Sequence, residues 1–148
     1  MSGYTIVVSG EPRPEAKRQR FFKRKGGGVA VGARTDLPDR ADWKAYVRHE
    51  ARLVCDAPLE GPLTLVVRFT LVRPPSWSRR PTKAYPWPSV PYKKPDLDNL
   101  IKPVKDALTG IAWGDDAQVV SEAIVKCWGD RYETTIEVQQ EEAAWGDC

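Results

Sequence analysis

Three observations predict an α+β fold, with a mixed, mainly antiparallel sheet and two principal helices packed on it. Several short runs are β-branched and apolar and end at Gly or Pro. Two longer stretches repeat apolar residues at spacings of three and four. The chain has 148 residues, which suits a single core.

The elements follow in order. Tyr4 to Ser9 reads as a strand closed by Gly10 and two prolines. Residues 11–25 carry seven basic and two acidic side chains around Phe21 and Phe22, and Gly26 to Gly28 lead into a small strand at Val29 to Val31. Together these make a ribbon with a basic loop. Trp43, Tyr46, Val47, Ala51 and Val54 describe an amphipathic helix over about residues 40–55, with Asp39 or Asp42 placed to cap it. Gly61-Pro62 breaks the chain before a central strand from Leu63 to Leu71.

Residues 74–95 hold seven of the thirteen prolines, interleaved with Trp77, Tyr85, Trp87 and Tyr92. Proline donates no backbone hydrogen bond, so this is a long loop, whose aromatics suit either base stacking or packing onto the body. A second helix is expected over Asp98 to Leu108, with Leu100, Ile101, Val104 and Leu108 facing inward. Pro103 then belongs in its first turn, where a missing N–H matters least. Val119 to Trp128 and Tyr132 to Val138 alternate as two strands, expected to form a hairpin at Gly129-Asp130. Residues 1–139 are thus one domain, and 140–148 an acidic tail.

The net charge of +3 conceals an asymmetry: residues 1–114 hold 21 basic and 11 acidic side chains, residues 115–148 hold 2 and 9. A basic body points to a polyanionic partner, although a solvated charged face has the same composition. The run from Leu63 to Val72 includes Arg68 and is far short of the ~20 residues that span a membrane. The start, MSGYTIVVSGEPRP, has no secretion-signal pattern, so a cytoplasmic setting is expected. Three scattered cysteines exclude a disulfide framework or a Cys zinc site, and His49, the single histidine, excludes His-rich metal sites and Ser-His-Asp catalysis. Chemistry therefore falls to carboxylates with a hard cation, and no organic cofactor is expected.

Two acidic knots carry it: Lys94-Pro95-Asp96-Leu97-Asp98-Asn99 and Trp113-Gly114-Asp115-Asp116-Ala117-Gln118. Carboxylates at i and i+2 in a turn entering a helix project to one side, and an acid at a nearby strand entrance adds a third ligand for octahedral Mg²⁺. Lys102 lies one helical turn beyond Asp98, placed to meet phosphate charge. Asp98 and Asn99 also suit helix caps, and Asp115 and Asp116 suit turns. Asp106 reads as an ion-pair partner. Cationic side chains for phosphate contact are Lys17, Arg18, Arg20, Lys23, Arg24, Arg79, Arg80, Lys93 and Lys94, with aromatic faces between them for base stacking.

KPDLDNLIKPVKDALTG followed by WGDDAQVV resembles the signature of the RusA family of Holliday-junction resolvases of bacteria and their phages, and GEPRPEAKRQRF resembles that family's basic N-terminal segment. The match over residues 94–120 is specific because acidic pair, helix, lysine and second acidic pair follow in order. The resemblance implies a homodimeric endonuclease of DNA recombination and repair, phage- or prophage-type. It would use Mg²⁺, or Mn²⁺ in its place, to cut four-way junctions by paired symmetric nicks. Carried over by position, Asp96, Asp98 and Asp116 bind metal, Asp115 is an adjacent candidate ligand, and Lys102 is the essential lysine. The proline-rich stretch at 74–95 and the triple glycine depart from the family's compact pattern. Rival readings are a non-catalytic nucleic-acid-binding module and a phage structural or adaptor protein.

Overall fold

The computed structural model describes residues 2–15, 21–23, 26, 29–31, 38–74 and 88–141. Expectations for the cations Lys17, Arg18, Arg20, Arg24, Arg79 and Arg80, for most of the proline-rich loop and for the end of the acidic tail lie outside the described residues.

The chain runs β1 (Gly3–Ser9), β2 (Phe21–Lys23), β3 (Val29–Val31), α1 (Pro38–Val54), β4 (Leu63–Val72), α2 (Leu97–Leu108), β5 (Val119–Gly129) and β6 (Glu133–Gln140). Four strands form one mixed sheet in the order β1-β6-β4-β5, and β2 pairs with β3 as a separate antiparallel ribbon. β6 is antiparallel to both β1 and β4, while β4 and β5 are parallel. This is the α+β architecture expected, with β4 central.

Alternation along β4 fixes which face is covered. Leu63, Leu65, Val67, Phe69 and Leu71 are buried, whereas Val66 and Arg68 between them are exposed. Both helices lie on the covered face, α1 against β1 and α2, and α2 over β5. From α1 come Trp43, Val47 and Ala51; from α2 come Leu100, Ile101, Val104 and Leu108. Burying each large aliphatic side chain stabilises the fold by roughly 1.5–3 kcal/mol. Tyr46 and Val54 sit at the margins of the α1 stripe and stay partly exposed. α1 begins at Pro38, a favoured first helical residue, so Asp39 and Asp42 stand within its first turns and not at the N-cap position that the sequence suggests for them.

Two expectations are corrected. β5 and β6 are strands but not a hairpin, because β4 lies between them. A parallel pair needs a crossover, and the loop after β4 together with α2 supplies it. Residues 130–132 then carry the chain past the end of β4 to β6. Gly129 is required there by close approach: a Cβ would lie 2.3 Å from Thr70 Cγ2. Its φ is not positive, so it does not form the primed turn that a two-residue hairpin needs. The second correction concerns α2, which starts at Leu97. Pro103 is therefore buried in the helix interior and not in the first turn.

Candidate active site

Asp96 and Asp98 stand at the amino end of α2, on the chain that leaves β4. Asp96 occupies the N-cap position with extended backbone (φ −74°, ψ 144°), and its carbonyl accepts the first helical bond from Leu100 N–H at 3.1 Å. Its carboxylate makes no capping hydrogen bond. Asp98 follows in the first turn, and both side chains are exposed. The positive end of the helix dipole favours two carboxylates here. Lys102 lies one turn on and exposed; among the described residues no hydrogen bond or ion pair claims it.

The approach to Asp96 is braced from β5. Lys126 Nζ donates to the carbonyls of Lys93 at 2.9 Å and Pro95 at 2.8 Å, across the cis Lys94–Pro95 peptide. At the other end of α2, Lys105 Nζ pairs with Glu122 at 3.1 Å. α2 is thus tied to β5 at both ends and runs antiparallel to it. Lys126 is missed by motif reading; its signal is a basic residue on the core-facing side of a strand.

The second knot is built differently. Asp115 caps the short 3-10 turn Asp116–Gln118, accepting from Ala117 N–H at 2.8 Å. Gln118 completes the capping box by accepting from the backbone N–H of Gly114 and Asp115, and its amide donates to the carbonyls of Leu59 and Gly61. Asp115 therefore has a structural task. Asp116 is half-buried, and both its donors converge on one oxygen: Thr109 Oγ1 and Trp113 Nε1 each lie 2.8 Å from Oδ1. Trp113 is fully buried, so a core residue aims this carboxylate. Among the described residues no donor takes Oδ2. Thr109, Trp113 and Gln118 hold this knot in place and are overlooked by acid-counting, although Trp113 and Gln118 stand inside the quoted motif.

The structure joins Asp96 with Asp98 but does not bring Asp116 to them. Asp116 is bonded to Thr109, the C-cap of α2, eleven residues after Asp98. At 1.5 Å per residue that is about 16 Å along the helix, beyond any shared ion. Accordingly, no group of three His, Cys, Asp or Glu among the described residues is placed to hold a metal. Asp106 pairs with Lys44 at 3.5 Å, as an ion-pair partner should, and His49 is exposed on α1. Lys93 and Lys94 are exposed beside Asp96, and Lys23 is in β2. No helix among the described residues is long and apolar enough to cross a membrane.

Residues 10–139 match the family model for endodeoxyribonuclease RusA. The uncharacterized protein YqaN of Bacillus subtilis (strain 168) is 34% identical over 142 residues, covering 91% of this chain and 94% of that protein. The crossover junction endodeoxyribonuclease RusA of Escherichia coli (strain K12) is 30% identical over 141 residues, covering 92% and 95%. With a matching domain over most of its length, the acidic signature on α2 and the mixed sheet beneath it, the chain belongs to the RusA endodeoxyribonuclease family.

Proposed function

We propose that the protein is a Mg²⁺-dependent endonuclease, with Mn²⁺ as a substitute, that resolves four-way DNA junctions by paired symmetric nicks in recombination and repair in the bacterial cytoplasm. The observation that carries this reading is the Asp96–Asp98 pair at the amino end of α2 with Lys102 one turn away, none of them claimed by a hydrogen bond or ion pair among the described residues. Carboxylate oxygens of this kind suit a hard divalent cation. Such an ion would polarise a phosphoryl oxygen and lower the pKa of a bound water. Lys102 meets the phosphate charge, and Lys93 and Lys94 offset the repulsion between the aspartates and DNA. The basic side chains Lys17, Arg18, Arg20, Lys23, Arg24, Arg79 and Arg80 extend the grip along the backbone.

The separation of Asp116 from Asp98 supports a homodimer. One chain offers a pair of ligands at one end of α2 and an aimed single carboxylate at the other. In a two-fold dimer Asp116 of the partner subunit completes each pair, giving two equivalent sites for a near two-fold junction. Asp115 keeps its capping role in this scheme. The test is incubation with a synthetic four-way junction and with linear duplex, with Mg²⁺ and with chelator. Symmetric nicks in the junction, and only with metal, are expected; metal-independent binding without cleavage would instead mark a non-catalytic binding module.

A further inference from the structure

Pro103 is buried at the seventh position of α2, where its missing N–H deprives the Asn99 carbonyl of its helical donor. That carbonyl is nevertheless paired, through Glu15 N–H at 2.6 Å. Glu15 ends the stretch Glu11-Pro12-Arg13-Pro14-Glu15, which leaves β1 at Gly10. Pro12 is buried, and neither Pro12 nor Pro14 has an N–H to donate. Two prolines also stiffen the stretch, so its donor arrives at α2 with little freedom to lose. Asn99 is adjacent to Asp98 and lies one turn before Lys102 and Pro103. The basic run Lys17 to Lys25 follows Glu15 after a single residue, Ala16.

We infer that Pro103 is a positioning residue: by releasing the Asn99 carbonyl from the helix ladder it makes a socket for Glu15 N–H, which fixes where the DNA-gripping basic run departs from the turn bearing Asp98 and Lys102. This inference rests on the nuclease reading for its DNA consequence but on the Glu15–Asn99 bond for its geometry. A helix with alanine at this position would supply its own donor to Asn99 and compete for the carbonyl. The role differs from simple packing, because alanine is the better helix former.

The test uses the full chain and two independent readouts. In hydrogen exchange, the Glu15 amide is protected in the wild type, and Pro103→Ala speeds its exchange by about tenfold or more while the β4 amides keep their protection. In chelator, where nothing is cut, Pro103→Ala and Glu15→Pro each weaken four-way-junction binding by about tenfold, whereas Glu15→Gln, which keeps the N–H and removes a negative charge, binds at least as tightly as the wild type. With Mg²⁺ and saturating junction, the cleavage rate of Pro103→Ala stays within about twofold of wild type, placing the loss in binding. Unchanged Glu15 protection in Pro103→Ala, or wild-type affinity in both Pro103→Ala and Glu15→Pro, overturns the inference. A wild type that does not bind the junction at all refutes the nuclease reading and the DNA role, and the exchange measurement separately decides whether Pro103 makes the socket.

Discussion

Replacing Trp113 with Phe removes one donor from Asp116 and leaves an aromatic ring in the core. Trp113 is fully buried, and its Nε1 lies 2.8 Å from Asp116 Oδ1. The other donor, Thr109 Oγ1, has a single proton and also lies 2.9 Å from the Lys105 carbonyl, so it cannot hold the carboxylate firmly alone. A hydrogen bond to a charged group contributes roughly 1.5–3 kcal/mol, and the half-buried setting of Asp116 argues for the lower end. The smaller ring leaves a cavity that costs about 1 kcal/mol more. The combined loss of about 2.5–3 kcal/mol leaves a domain of ordinary stability folded. On the proposed reading of Asp116 as a metal ligand, losing an orienting partner typically costs 10- to 100-fold in metal affinity or activity, on the order of 1.4–2.8 kcal/mol. The assay is junction cleavage titrated with Mg²⁺: Trp113→Phe should need about tenfold more Mg²⁺ for half-maximal cutting. A variant that is folded and has wild-type Mg²⁺ dependence would refute the role assigned to Trp113 and weaken that of Asp116.

Other expected outcomes concern separate parts of the molecule. Asp96→Asn should abolish cleavage yet keep or tighten junction binding in a gel-shift assay, because the change removes charge that repels DNA; cutting at the wild-type rate would contradict the site. Gln118→Ala removes a side chain that bonds Gly114, Asp115, Leu59 and Gly61, and at about 1 kcal/mol per hydrogen bond it should lower stability by roughly 2–4 kcal/mol in urea unfolding. Burial, with a smaller push from Asp56, raises the Cys55 thiol to about 11. Iodoacetamide labelling of Cys55 should therefore be slow at pH 8 and rise about tenfold per pH unit up to pH 10, because only the thiolate reacts; a flat profile would contradict that placement.

Much of the fold was legible because periodicity reports burial directly. Leu100, Ile101, Val104 and Leu108 marked the core face of α2, and Leu63 to Leu71 marked the central strand. Alternation identifies a strand but not its neighbour, which is why a hairpin was expected where β4 intervenes between β5 and β6. Pro103 misled in a different way. The rule that interior helices exclude proline holds while the orphaned carbonyl has no other donor, and Glu15, 84 positions earlier, supplies one.

The site was legible in its acids and not in its distances. Asp96, Asp98 and Asp116 stand in one short motif, yet α2 fills the interval and sets them a helix length apart. Nor does the motif tell a capping aspartate from a free one. Asp115 caps and Asp96, at an N-cap position, does not. These differences arise from hydrogen-bond donors on Thr109, Trp113 and Ala117 whose positions only the folded chain defines.

The central claim, a site completed across a dimer, is tested most directly by subunit complementation. Asp98→Asn and Asp116→Asn proteins, each inactive alone, are unfolded together, refolded and assayed on a four-way junction with Mg²⁺. A site shared between subunits leaves one intact centre in every mixed dimer, so single-strand nicking should return without paired cuts. If the mixture stays as inactive as either parent although mixed dimers form, Asp98 and Asp116 do not act together across subunits and the account is contradicted.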